Sequence, residues 1–112
     1  MITIEEIKQI ISTWAQSLPY NVCIHLYGSY LKGNKKLPSD IDIAVKFCDD
    51  HLLDDSTILL RWFDNHENWE TYLSEKFGMK AHLELNSIAS KYIPQSLKET
   101  SLLLYSAPEM ED

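Results

Sequence analysis

Residues 26–47, LYGSYLKGNKKLPSDIDIAVKF, run from an apolar segment through a glycine and a lysine-rich stretch into a strictly alternating one. The residues leading into it, NVCIHLY (21–27), are rich in β-branched and aromatic side chains and apolar on both faces. This predicts a strand inside a covered sheet. Gly28 breaks that strand, SYLK (29–32) is long enough for one or two helical turns, and GNKKLPS (33–39) has the composition of a loop. In DIDIAVKF (40–47) the alternation places Ile41 and Ile43 on one side of a strand and Asp40 and Asp42 on the other.

Those residue types in that order suggest phosphate and metal chemistry. A glycine directly after a strand lets the backbone approach a bulky anion, and N–H groups opening a helical turn aim partial positive charge at it. Gly28 and Ser29 occupy that place, and Ser29 adds a hydroxyl donor. Lys32, Lys35 and Lys36 put three of the nine lysines of an acidic chain beside them. Side chains two apart on one strand face start roughly 6–7 Å from each other, so Asp40 and Asp42 are able to converge on shared magnesium ions. Two such ions about 3.5–4 Å apart clamp the attacking and leaving oxygens of an in-line phosphoryl displacement. Glu84, on the polar face of a later strand, is the candidate third carboxylate, and three neighbouring acids repel one another unless a cation compensates them.

The rest of the chain supplies helices and strands around this segment. Thr3 and Glu6 fit a capping box, and Ile7, Ile10, Ile11, Trp14 and Leu18 recur at helical spacing until Pro19. The longest helical pattern covers about residues 53–77, with Leu59, Trp62, Phe63, Trp69, Leu73 and Phe77 near one stripe and Gly78 as its stop. KAHLELN (80–86) alternates His82, Glu84 and Asn86 against Ala81, Leu83 and Leu85. One or two short helices and a last strand at about residues 102–105 complete the pattern, with 108–112 as an acidic, frayed tail. The expectation is one α/β (α+β) domain over residues 1–112, a small mixed sheet of about four strands flanked by helices.

Composition limits the functions available. A net charge of −7 opposes broad binding to a nucleic-acid backbone, which depends on neutralising many phosphates. Arg61 is the single arginine, so an arginine clamp on phosphate is absent. Cys23 and Cys48 lie outside any CxxC or zinc pattern and are expected as reduced structural thiols. The N-terminal residues lack the basic start and apolar block of a secretory signal, and no apolar run nears the roughly 20 residues of a membrane span, so a cytoplasmic location is expected. Among the histidines, His82 shares the Glu84 face, His25 is expected to be structural, and His51 and His66 lie in polar contexts, His66 pairing with Glu70 in solvent. None is assigned catalysis.

The GSYLKG and SDIDIAV segments together resemble the Gly-Ser and Asp-x-Asp signature of the DNA polymerase β-like nucleotidyltransferase superfamily, closest to its minimal nucleotidyltransferases. The resemblance covers nearly the whole chain in element order. It implies the nucleotidyltransferase fold and transfer of a nucleoside monophosphate, AMP from ATP, to an acceptor hydroxyl with release of pyrophosphate. It assigns Gly28, Ser29, Lys32 and Gly33 to the triphosphate, Asp40 and Asp42 to two Mg2+ ions, for which Mn2+ substitutes, and Glu84 to the catalytic metal and activation of the acceptor. Two departures stand out: Glu84 is a methylene longer than the family's usual aspartate, and Lys32 stands where many relatives have arginine, meeting a phosphate only as a point charge.

The short chain leaves out the helical domain with which larger relatives hold their acceptor, so the acceptor is expected from another molecule. In the family, minimal nucleotidyltransferases often pair with a HEPN-type toxin and act as its antitoxin, in some systems by adding AMP to a toxin tyrosine. The alternative is a catalytically silent module of the same fold that neutralises or scaffolds a partner protein. Modification of a small molecule such as an aminoglycoside ranks third.

Overall fold

The computed structural model describes residues 2–32, 40–87, 89 and 94–108, leaving aside the side chains of Ser29, Lys32, Gln95 and Ser96. Gly33, the rest of the 33–39 segment and the tail beyond Pro108 lie outside the described residues.

Helix α1 (Ile4–Ser17) opens on the anticipated capping box: the Glu6 amide donates to Thr3 Oγ1 and the Thr3 amide to Glu6 Oε1, each at 3.1 Å. It ends at Leu18, whose extended backbone suits a residue before proline. Strand β1 (Val22–Tyr27) leads through Gly28 into the short α2 (Ser29–Lys32), and β2 (Ile41–Phe47) follows. A 3-10 turn at Asp50–Leu52 precedes the long α3 (Asp55–Phe77), which carries the chain to β3 (Ala81–Leu85). Helix α4 (Gln95–Glu99) and strand β4 (Ser101–Ser106) complete the order.

The strands form one sheet in the order β3-β2-β1-β4. β1 runs antiparallel to both β2 and β4, whereas β2 and β3 are parallel, as a helical crossover through α3 permits. Val22, Ile24, Leu26, Ile41, Ile43, Val45 and Phe47 are fully buried on the face that α1 and α3 cover. Each such aliphatic side chain is worth about 1.5–3 kcal/mol relative to exposure.

The opposite face differs from the expectation for β1. Cys23 and His25 are only partly covered, so this strand is sealed on one side and half open on the other. Its apolar composition masked the alternation, because His25 is the one strongly polar side chain in it. Over that face, Leu97 of α4 packs on Tyr27 and Ala44 as a small satellite cluster.

In α3 the buried stripe is Ile58, Trp62, Trp69, Leu73 and Phe77. Phe63 is 65% exposed while Ile58 is 1% exposed, which corrects the expected stripe. The 3.6-residue period explains the exchange: Ile58 lies one turn before Trp62, whereas Phe63 is rotated about 100° from it. Trp69 packs edge-on against Trp14 at 5.7 Å, and the Arg61 guanidinium lies 4.4 Å from the Tyr20 ring centre while binding Asp49 at 3.0 Å. The one arginine thus serves packing beside Phe47, at the far end of β2 from Asp42. His66 stacks on Trp62 rather than standing in solvent. Glu70 turns to β3, where its carboxylate accepts the Leu83 amide at 2.8 Å, and Ser74 Oγ accepts the Ala81 amide at 2.9 Å. Two α3 side chains one turn apart therefore close the outer edge of β3.

At the other edge, β4 carries an irregularity: Ile24 pairs with Tyr105 and His25 with Leu103, leaving Leu104 as the extra residue. The bulge turns Leu104 into the core and leaves Leu102 and Leu103 exposed.

Cys23 and Cys48 are free thiols with sulfurs 3.8 Å apart. Burial, followed by the hydrogen bond with Cys23, pushes the Cys48 thiol up to about 11. Cys48 should therefore react with iodoacetamide at pH 8 at least about tenfold more slowly than an unfolded cysteine peptide, since the thiolate is the nucleophile. Peptide mass spectrometry of timed samples measures this, and an equal rate would contradict the burial. No helix among the described residues is long and apolar enough to cross a membrane.

Candidate active site

The end of β1 and the start of β2 are neighbours because the two strands are antiparallel, with Tyr27 opposite Asp42. The chain turns at Gly28 with φ of 81°, in the left-handed region open to glycine. A Cβ at this position would stand 2.3 Å from Asp42 Oδ2. The Asp42 carboxylate thus rests against bare backbone, and α2 begins with the next residue. The Tyr30 hydroxyl donates to the Ile2 carbonyl and ties α2 to the N-terminal segment.

Asp40 is exposed immediately before β2, and its neighbour Ile41 is anchored by its amide, which donates a hydrogen bond to the Lys80 carbonyl at 2.9 Å. The parallel register places His82 beside Asp42 and Glu84 beside Ala44, all on the half-open face. Burial pushes the Asp42 carboxyl above its usual range; His82, when charged, opposes this, while the negative charges of Asp40 and Glu84 reinforce it. Asp42 thus experiences the expected repulsion from its two acidic neighbours. His82 Nε2 lies 3.0 Å from Glu84 Oε1, and Nδ1 lies 3.8 Å from Glu70 Oε2. His82, hydrogen-bonded to Glu84, therefore stands between the candidate third carboxylate and Glu70 of α3.

Of the candidate residues, Gly28 and Asp42 meet, Asp40 immediately precedes β2, and Glu84 lies two residues further along the sheet, beside Ala44. Ser29 and Lys32 are placed by their backbone on α2, and Gly33 lies outside the described residues. Among the described residues no three carboxylate, thiol or imidazole groups converge as a cage for a metal ion. Magnesium, however, commonly takes one or two carboxylates and completes its shell with water and substrate phosphates. The hard oxygen donors of Asp40 and Asp42, next to a cradle that a Cβ would fill, fit such an ion; Glu84, turned to His82, stands aside from them. Glu70 was missed from sequence because its partner lies 13 residues away on another element, and α-helical spacing pointed it at His66 instead.

Residues 5–109 match the family model described as polymerase beta, nucleotidyltransferase. The chain belongs to this nucleotidyltransferase family. Two Methanocaldococcus jannaschii proteins, MJ0128 and MJ1217, each carrying the provisional name protein adenylyltransferase, are similar to it. They are 34% and 33% identical over 103 residues, covering 88% of this chain and 95% of each relative. The mixed four-stranded sheet with its flanking helices is the nucleotidyltransferase fold, and in it Gly28-Ser29 and the segment from Asp40 to Asp42 lie on adjoining strand ends.

Proposed function

We propose that this nucleotidyltransferase moves AMP from ATP onto a hydroxyl of a partner protein and releases pyrophosphate. The observation that carries the reading is the Asp42 carboxylate seated against the Gly28 bend, because phosphate oxygens and their counter-ion need the same small space. The names of the two relatives favour adenylyl as the transferred group and a protein as the acceptor.

In this reading Gly28 and Ser29, with Lys32 and Gly33, receive the triphosphate, and Asp40 and Asp42 hold Mg2+, or Mn2+ in its place. When bound, the metal neutralises charge developing on the phosphate oxygens. Glu84 accepts the acceptor's hydroxyl proton and releases it to solvent, while His82 holds the Glu84 carboxylate in place. The acceptor oxygen bonds to the α-phosphorus as the bond from that phosphorus to pyrophosphate breaks. Two ions fit the family chemistry, and a HEPN-type toxin is the partner the family resemblance favours, with this chain as its antitoxin.

A second reading, a silent module that binds its partner without chemistry, draws on one observation: Glu84 faces His82 rather than the aspartates. Labelled ATP separates the two. With the co-expressed partner and Mg2+, label from the α-phosphate should enter protein, label from the γ-phosphate should not, and chelation should stop incorporation. Absence of α-label with Mg2+ and with Mn2+ would leave the binding module as the better account.

A further inference from the structure

Beyond the phosphate end, the open face of the sheet holds a cleft of about 220 Å³ lined by His25, Asn86, Leu97, Lys98 and Ser101. We propose that this cleft seats the acceptor: a hydroxyl-bearing side chain whose neighbouring amide hydrogen-bonds His25 while its carbon skeleton rests on Leu97. The inference rests on the nucleotidyl-transfer reading and assigns the second substrate of that same site.

Three observations support it. The first is position. His25 is opposite Ala44, and Ala44 is opposite Glu84, so His25 and Glu84 share one row across the sheet. That row lies two residues, roughly 6–7 Å, beyond the Asp42 row in the direction away from Gly28. An in-line displacement requires the attacking oxygen to enter opposite the leaving pyrophosphate. With pyrophosphate at the Gly28 bend, the acceptor enters from the His25 side.

The second observation is an unpaired atom. His25 Nδ1 is buried and has no hydrogen-bond partner among the described residues. A buried polar atom left so is destabilising, and a ligand that carries the complementary group and meets the nitrogen as the ring turns recovers that loss. Burial, and then the Lys46 charge, hold the His25 imidazole below its ordinary pKa, so it is neutral at physiological pH and keeps one ring nitrogen free to accept a proton donor.

The third is the character of the walls. Leu97 gives an apolar side, and Asn86 just after β3, Lys98 of α4 and Ser101 of β4 give polar groups. A mixed lining of this kind suits a side chain with an adjoining peptide group.

The test uses N-acetyl-serinamide and N-acetyl-tyrosinamide as acceptor probes with Mg2+ and α-labelled ATP, alongside release of AMP to water. Two variants narrow the cleft: Leu97→Trp from α4 and Ser101→Trp from an exposed position on β4 that leaves the core intact. The KM for the better amide should rise at least tenfold in both, with the KM for ATP changing less than twofold. An unchanged amide KM in Ser101→Trp, or an ATP KM that rises as far as the amide KM, would overturn the assignment, the latter by giving the cleft to the nucleotide. If the wild-type chain releases AMP to water but labels neither amide, the acceptor cleft is rejected and nucleotidyl transfer stands. If it does neither, both fall.

Discussion

Gly28→Ala is expected to lower transfer by at least about 10²-fold, a loss on the scale of misplacing one catalytic group. The reason is local and steric. The new Cβ would meet Asp42 Oδ2 at 2.3 Å, far inside contact distance, and the backbone at φ of 81° adds strain of about 1–2 kcal/mol for an L-residue. The clashing atom is the end of a side chain, so the conflict resolves by rotation of Asp42 away from the bend. The fold survives with a modest loss of stability while the carboxylate leaves its place. Denaturant unfolding together with α-label transfer checks both halves, and wild-type turnover in this variant would show that the bend and Asp42 do not act together.

Asp42→Asn should produce opposite effects on stability and activity. Burial, with Asp40 and Glu84 nearby, raises the native Asp42 pKa above its unfolded value. The native state then binds more protons than the unfolded one between the two values, so stability is highest below the unfolded pKa and falls as pH rises through the native one. At neutral pH the ionised group is a net destabilising element that the amide lacks. The variant should therefore be more stable than wild type at pH 7–8 by about 0.5–2 kcal/mol, the usual scale when a strained functional group is relieved. The difference should vanish in acid, below the ordinary aspartate range, where wild-type Asp42 is protonated in both states. Transfer should fall by about 10³-fold, comparable to removal of a principal electrostatic contact in an active site. Thermal unfolding across pH measures the first effect; a variant less stable than wild type at neutral pH would mean that Asp42 is satisfied rather than strained.

What was legible in the sequence is what short-range physics determines. Thr3 and Glu6 announced α1 because a capping box closes within four residues. Gly28 and the alternation from Ile41 announced the bend and the strand with Ile41 and Ile43 turned inward, because strand period and glycine permissiveness are local properties. The pairing of Tyr27 with Asp42 comes from the fold, because the two strands run antiparallel and so bring strand end against strand start. Features that depend on distant partners were not legible. The bulge that turns Leu104 inward exists only in relation to Ile24 and His25, and no pattern in SLLLYS marks it. Phe63 and Ile58 exchanged roles because stripe position in a 23-residue helix depends on which face meets the sheet. His25 looked enclosed in an apolar run, and only the packing of the short α4 beside it, a distant segment in sequence, forms the cleft.

The measurement that bears most directly on the central claim is calorimetric titration of ATP into wild type and Asp42→Asn at pH 7.5, each with magnesium and with chelator. If Asp40 and Asp42 hold the metal that bridges to phosphates at the Gly28 bend, wild type binds ATP at least tenfold more tightly with magnesium, and the variant binds with little dependence on it. Equal magnesium dependence in both proteins would contradict the account.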